Sequence, residues 1–449
     1  MNKIFLKTFG CQMNVRDSEF VAGLLIDSGF RLSGSEDDAD IILFNSCSVR
    51  KHAEDRLFSN VTYLKGLKKR KPHLIIGLLG CTAQAYKGKA IDRSPVIDIV
   101  CGPGNEADLP RLLKDALKNN LRIIATDKVD ARRREIFPEY REHRFKALVS
   151  IGEGCDNYCS YCIVPYVRGR ERSRDAKDVI REVEMLADRG FKEITLLGQN
   201  VNSYRYPAKG IQLSAVSYQQ KDKSLGFIRL LERLNKIDGI ERIRFMTSHA
   251  KDAHTELFRA MRGLEHVCEH LHLPLQSGSD RILKLMNRKY DSKKYLKLAE
   301  SYKKILPSGS ITTDVIVGFP SETDRDFNGT CDIMKSIGFD SAYTFKYSPR
   351  PGTGAFKLDD DVSAEMKARR LDTLMRAQRG ISESRNKSLL SKTVEVLVED
   401  AGDARESRLG GRTRTNKPVV FKGDNSLVGR LVNVEVESVT PYSLKGRIG

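Results

Sequence analysis

The sequence predicts an α/β protein with an all-β tail: an N-terminal parallel α/β domain, a central partial (β/α) barrel and a small C-terminal barrel. Three observations lead there. Short apolar runs alternate with segments of helical spacing up to about Asp130, and the alternation resumes at Phe145. From Thr393 the runs become short and strand-like, separated by Gly, Asn and Asp. The 449 residues also exceed one ordinary domain, since domains usually run to about 100–200 residues.

In the first domain, residues 1–130, strands are expected at Lys3–Thr8, Ile41–Phe44, Leu74–Leu79 and Val96–Val100, with helices such as Ser18–Asp27 and Ala53–Lys69 between them. Strands alternating with helices argue for a parallel sheet covered by helices. The charged stretch 131–144 reads as a linker. In the second domain, 145–385, the expected strands are Ala147–Ile151, Glu193–Leu197, Arg242–Met246, Leu271–Leu275, Thr313–Val317 and Ala342–Tyr347. Helical segments such as Ala176–Asp188 and Ser292–Ile305 separate them, the pattern of a full or partial barrel. Tyr206–Lys223 is polar and irregular and reads as an inserted surface segment. A basic helix, Ala364–Leu390, leads into the last domain, 386–449, whose alternating runs predict a small antiparallel barrel.

Composition narrows the function. No apolar run approaches the ~18 residues that cross a membrane, and the N-terminus has no apolar core with a cleavage site. A cytoplasmic protein with no membrane partner is expected. Lys and Arg total 77 against 59 Asp and Glu, a net charge of +18, which favours a polyanionic partner. The odd number of cysteines, nine, argues against a disulfide framework. Metal or redox chemistry is the better reading of any cysteine cluster.

Two such clusters are expected. Cys155, Cys159 and Cys162 form C-x-x-x-C-x-x-C after the first strand of the second domain. Three thiolates on one tight loop can bind three irons of a cubane and leave the fourth open to a small chelating ligand. Zinc would usually want a fourth protein ligand, and none is evident. Cys11, Cys47 and Cys81 each follow a predicted strand, so a parallel sheet would bring all three to its carboxyl edge. A second cluster follows. Cys101, which also ends a strand, Cys268 and Cys331 read as structural.

The motifs FGCQMNVRDSE, NSCSVRKHAED, EGCDNYCSYCIVPYVRGRERSR, LGQNVNSY, HLPLQSGSDRILKLMNRKY, TDVIVGFPSETDRDF and YSPRPGTGA together make the chain resemble the radical S-adenosylmethionine methylthiotransferases. The resemblance covers most of the first two domains. It implies a radical-SAM barrel, a C-terminal RNA-binding TRAM barrel and two 4Fe-4S clusters, one on Cys155, Cys159 and Cys162 and an auxiliary one on Cys11, Cys47 and Cys81. It further implies S-adenosylmethionine as both radical source and methyl donor. The implied reaction adds a methylthio group to carbon 2 of isopentenyladenosine at tRNA position 37. Its implied partners are the tRNA anticodon stem-loop, an electron donor protein and a sulfur or cluster supply system; nothing in the sequence demands more than a monomer.

Further site candidates are weighed residue by residue. Tyr161 is expected near the adenine of the cofactor, where an aromatic face suits a base, although it can equally pack the loop. Gln199, Asn200, Ser248, His249, Gln276 and Ser277 end barrel strands, where polar groups read as cofactor contacts or as caps of the next helix. His249 reads as a satisfied polar residue rather than a base. Arg168 and Arg170, beyond the cysteine loop, and Arg412, Arg414 and Lys417 in the last barrel are expected to meet RNA phosphates. Rival readings are methylthiolation of a ribosomal-protein aspartate or of threonylcarbamoyladenosine, and, in another class, a non-catalytic iron–sulfur or zinc RNA-binding protein.

Overall fold

The computed structural model describes residues 2–49, 51–119, 121–127, 139–205, 225–401 and 408–449. The expected insertion at Tyr206–Lys223 and most of the linker lie outside these residues.

The N-terminal domain is one parallel sheet built from β1 (Lys3–Phe9), β2 (Arg31–Leu32), β3 (Ile41–Ser46), β4 (Ile75–Leu79), β5 (Ile99–Cys101) and β6 (Ile123–Ala125). Its order is β2-β1-β3-β4-β5-β6, so the three strands that precede Cys11, Cys47 and Cys81 are adjacent. Helices α1 (Gln12–Asp27), α2 (Lys51–Arg70), α3 (Gly80–Tyr86), α4 (Lys89–Arg93) and α5 (Leu109–Asn119) connect them. Alternate strand residues feed two cores: Ile42, Phe44, Ile76 and Leu78 on one face, Ile41, Leu43, Ile75 and Leu79 on the other. Cys101 lies within β5 in the second core, on the opposite face from Cys47.

The central domain starts with β7 (Lys146–Ser150), the two-residue strands β8 (Gly152–Glu153) and β9 (Arg172–Ser173) with α6 (Val164–Arg168) between them, and α7 (Ala176–Asp188). Then come β10 (Glu193–Leu197), α8 (Leu225–Leu234), β11 (Arg242–Phe245), α9 (Thr255–Gly263), β12 (His270–His272), α10 (Asp280–Leu285) and α11 (Ser292–Ile305). It ends with β13 (Ser310–Val317), α12 (Asp324–Ile337), β14 (Ser341–Lys346) and α13 (Ala364–Lys387). Strands β7, β10 and β11 form one parallel sheet and β12, β13 and β14 another. A parallel bridge between Ile243 and Val267 joins them into a partial barrel. Outward residues such as Val149, Ile194, Ile243 and Val315 pack under the helices.

The C-terminal domain closes β15 (Thr393–Ala401), β16 (Arg408–Thr413), β17 (Pro418–Lys422), β18 (Leu431–Val439) and β19 (Leu444–Ile448) into a barrel. Its β16–β17 turn docks at the amino ends of the central strands. Arg244 donates to the Thr413 and Arg414 carbonyls at 2.7 and 2.8 Å, and Ser310 to that of Thr415 at 2.7 Å. This corrects the RNA expectation for two residues. Arg414 is spent on Glu269 and on the Glu265 and Val267 carbonyls, and Lys417 on Asp340 at 2.7 Å and Asn386 at 2.9 Å. Both anchor the small barrel. Arg412 is half-exposed, with Nε 3.6 Å from Glu399.

The end of the expected linker is a staple rather than a solvated tether. Arg141 is buried and bridges Glu19 of α1 at 3.1 Å to Glu182 of α7 at 2.5 Å. Among the described residues no helix is long and apolar enough to cross a membrane.

Breaking a buried ion pair from one side strands the other charge, which costs about 3–5 kcal/mol. Arg244 and Glu193 form such a pair at 2.8 Å. Glu193→Ala is expected to lower stability by that order, read as an earlier urea unfolding midpoint, and to make the loosened C-terminal barrel more sensitive to limited proteolysis.

Candidate active site

Each thiol of the first triplet sits where the chain turns out of a strand. Cys11 is the N-cap of α1, and Cys81 is in the first turn of α3. Gly80 adopts φ +78, and a Cβ there would stand 2.1 Å from Asn45 Oδ1, so only glycine lets the chain turn this tightly into Cys81. Asn14 and Asn45 bind one another at 3.1 Å and tie the Cys11 turn to the end of β3. The thiols lie within each other's fields. The neighbouring Cys47 lowers the Cys11 pKa to about 6, and Cys11 together with burial raises that of Cys47. Burial pushes Cys81 up, opposed by the Arg168 guanidinium, whose Nε lies 3.1 Å from the Cys81 sulfur.

The second triplet occupies the loop between β8 and α6. Gly154, at φ +75, passes so close to the returning strand that a Cβ would meet the Arg170 carbonyl at 2.1 Å. Asn157 Nδ2 lies 3.4 Å from the Cys155 sulfur, and Arg288 Nη1 lies 3.4 Å from that of Cys159. Burial drives Cys155 up to about 11, and burial together with Cys159 drives Cys162 up to about 12. A buried thiol of this kind ionises when a metal binds it.

The two triplets are neighbours. Cys81 packs with Ile163 and Val167, the first of which directly follows Cys162. Both donor sets fit iron–sulfur clusters. All six are free thiols, and each set has cationic or amide N–H groups on its sulfurs. The Ser46, Ser48 and Thr82 hydroxyls flanking Cys47 and Cys81 are buried without partners, as is Arg168 Nη1. Orphan polar groups of this kind call for a polar occupant. Among the described residues no three His, Cys, Asp or Glu side chains converge on a single metal ion. Cubane ligands need not, because each thiolate binds a different iron.

The remaining candidates divide. Gly198, Gln199 and Asn200 line a pocket with Gly152, Gly154 and Glu171 beside the cysteine loop. Gln199 Oε1 accepts from the Gly154 N–H at 2.6 Å, and Asn200 donates to Asp252 at 2.8 Å while its Oδ1 stays buried and unpaired. The Ser248 hydroxyl is likewise buried and unpaired. These two are open to an amino acid's polar groups. Burial, and after it Arg288, drops His249 to about 2, so it is neutral at working pH and a weak proton acceptor. Gln276 holds φ +67 and its backbone continues the β13 pairing, while the Ser277 hydroxyl accepts from the Ser279 N–H at 3.2 Å, a local turn. Tyr161 packs against the cluster of Ile282, Met286, Phe319 and Tyr347.

Arg168 overturns its expectation. It is buried against Asp17 at 2.5 Å and Cys81, with its charge spent inside the protein. Arg170 is exposed and pairs with Asp156 at 2.8 Å. Sequence reasoning missed Arg288 and Arg350. Arg350 binds Glu54 of α2 at 2.7 Å and the Val49 carbonyl at 3.1 Å, clasping the central domain to the Cys47 turn. Both lie in quoted motifs, NRKY and SPRPG, which were the available signal.

Three family models match the chain. The Radical SAM superfamily model matches residues 149–334, that of Uncharacterized protein family UPF0004 matches 3–102, and the TRAM domain matches 387–448. The tRNA-2-methylthio-N(6)-dimethylallyladenosine synthase of Thermoanaerobacter sp. (strain X514) is 46% identical over 447 residues, covering 99% of this chain and 92% of that protein. The chain belongs to this family of radical S-adenosylmethionine enzymes. The synthase of the same name from Clostridium novyi (strain NT) is 44% identical over 449 residues, covering 99% of this chain and 96% of its own. Among solved structures, the radical S-adenosylmethionine methyltransferase TsrM of Kitasatospora setae, with cobalamin and a [4Fe-4S] cluster bound, aligns at TM-score 0.56. It is 13% identical, over 79% of this chain and 77% of that one, a likeness of fold.

Two outcomes follow for this family member. Cys81→Ala and Cys159→Ala are each expected to remove about half of the iron and acid-labile sulfide of anaerobically reconstituted protein, the loss that a separate cluster on each triplet would give. In the cluster-free protein, neutral His249 makes the fold sensitive to acid. Its contribution is complete above about pH 6.5 and shrinks as pH falls toward about 2, by about 1.4 kcal/mol per pH unit. His249→Gln should flatten that acid limb in urea melts.

Proposed function

We propose that this chain methylthiolates carbon 2 of isopentenyladenosine in tRNA, consuming two S-adenosylmethionines. The observation that carries the reading is the packing of Cys81 against Ile163, which brings one thiol triplet next to the other. A reaction needing a carbon radical and a sulfur donor at one substrate atom requires two such sites within reach of each other. When bound, the clusters and S-adenosylmethionine supply reductive cleavage of the sulfonium and a sulfur that carries the methyl group, chemistry that acid–base side chains cannot perform.

The chain's residues position and shield this chemistry. Cys155, Cys159 and Cys162 would hold the radical-generating cluster, with Arg288 and Asn157 placing N–H groups on its thiolates. Cys11, Cys47 and Cys81 would hold the auxiliary cluster. Asn200 Oδ1 and Ser248 Oγ, at the ends of β10 and β11, are free to bind the amino and carboxylate groups of the cofactor. Gln199 supports the loop through Gly154 rather than touching the cofactor. Arg170 and half-exposed Arg412 remain the RNA-contact candidates of the original set. The tRNA anticodon stem-loop, an electron donor protein and a sulfur supply system are the partners this reading requires of a cytoplasmic monomer.

The test is a single reaction. Protein reconstituted without oxygen is given reductant, S-adenosylmethionine and tRNA bearing isopentenyladenosine, and the digested tRNA is analysed by mass spectrometry. Wild type should yield the methylthio nucleoside. Cys159→Ala should yield neither product nor 5′-deoxyadenosine, whereas Cys81→Ala should still release 5′-deoxyadenosine without methylthiolation. Release of 5′-deoxyadenosine by fully loaded wild type with no change in this tRNA would refute the substrate assignment.

A further inference from the structure

Arg168 stands between the two triplets and is tied to each by a different part of the residue pair it begins. The carbonyl of the next residue, Gly169, accepts the Cys155 N–H at 3.2 Å, which fixes the backbone to the radical-site loop. Gly169 turns at φ +74, ends α6 and sends the chain back along that loop. The side chain runs the other way, across the domain boundary. Its Nε lies 3.1 Å from the Cys81 sulfur, and Nη2 binds Asp17 of α1 at 2.5 Å. Asp17 itself is fully buried. Nη1 is buried with no partner. A guanidinium is planar and permanently charged, so fixing Nε and Nη2 also fixes where Nη1 points.

We propose that Arg168 is a positioning residue that sets the reduction potential of the auxiliary cluster, its charge oriented by Asp17 and its N–H group donated to the Cys81 thiolate. The inference rests on the two-cluster reading above. Hydrogen bonds to cluster sulfurs and the net charge around them are among the terms that set iron–sulfur potentials. One-electron reduction adds negative charge, which a buried cation stabilises and a buried carboxylate opposes. Removing the guanidinium therefore lowers the potential, and removing the Asp17 carboxylate raises it. An ion pair that only holds two domains together predicts no such opposition of sign.

The experiment uses the full-length chain carrying Cys155→Ala, Cys159→Ala and Cys162→Ala, reconstituted with iron and sulfide, so that only the auxiliary cluster is present. The potential is read by dithionite titration followed by electron paramagnetic resonance, with iron content measured in parallel. If this background holds no cluster, the two-cluster reading fails and the proposal with it. If it holds one, Arg168→Gln should shift the potential down, Arg168→Lys should shift it less, and Asp17→Asn should shift it up, all at unchanged iron content. Should Arg168→Gln fail to fold or to load iron, Arg168→Lys decides in its place: a lower potential supports the role, and an unchanged or higher potential overturns it. Equal potentials in all the variants overturn it as well.

Discussion

The stretch from Cys162 to Gly169 is held from both sides. One end is the Cys155–Cys162 loop, to which Gly169 is hydrogen-bonded through Cys155. Its middle residues, Ile163 and Val167, are buried against Cys81 of another domain, and Arg168 reaches Asp17 and the Cys81 thiol. Because this stretch cannot move without leaving a buried charge unpaired, the N-terminal sheet has one seat on the central barrel. Arg141 and Arg350 reinforce that seat from two other directions, through Glu19 with Glu182 and through Glu54. Buried ion pairs of this kind add little net stability but are costly to break from one side. Here they join parts of the chain that must meet in one register for six thiols to form two neighbouring sites.

The barrel uses its two ends differently. The cysteine loop and the Gly198–Asn200 and Ser248–His249 segments gather at the carboxyl ends of the strands, where parallel α/β folds place their ligands. The amino ends are covered by the C-terminal barrel, whose β16–β17 turn is gripped by Arg244 and Ser310. Arg242 adds to the grip by binding Glu395 and the Arg412 carbonyl. The basic residues of that turn thus serve mainly to attach one domain to another. Arg141, Arg168, Arg244 and Arg350 are matched by carboxylates, so the surplus positive charge of the chain resides in other residues.

Much of this was legible beforehand, for identifiable reasons. Period-two and helical patterns located the expected strands and helices to within a few residues, with β12 shorter than expected and α1 beginning six residues earlier, at Gln12, while the short strands β2, β6, β8 and β9 were not foreseen. The adjacency of the three N-terminal cysteines followed from strand polarity alone, since a parallel sheet puts every following loop at one edge. Arginine roles were not legible. Arg168, Arg170, Arg412 and Arg414 look alike in sequence, yet one lies on a thiol, one on a loop aspartate, one half-exposed and one in a domain interface. A long cationic side chain takes its meaning from the carboxylates and carbonyls that the fold brings within its reach, and those come from residues up to 301 positions away.

The sequence by itself determined the donor chemistry: two thiol triplets, their place after strands, and the glycines that let the chain pass closely by them. These are local matters of residue type, spacing and backbone freedom. Only the tertiary structure decided that Cys81 touches the residue after Cys162, that Arg288 and Arg168 supply the cations, and that the last barrel docks by its basic turn. Each of those is a contact between segments distant in the chain, set by how three cores pack against one another, and no local pattern encodes it.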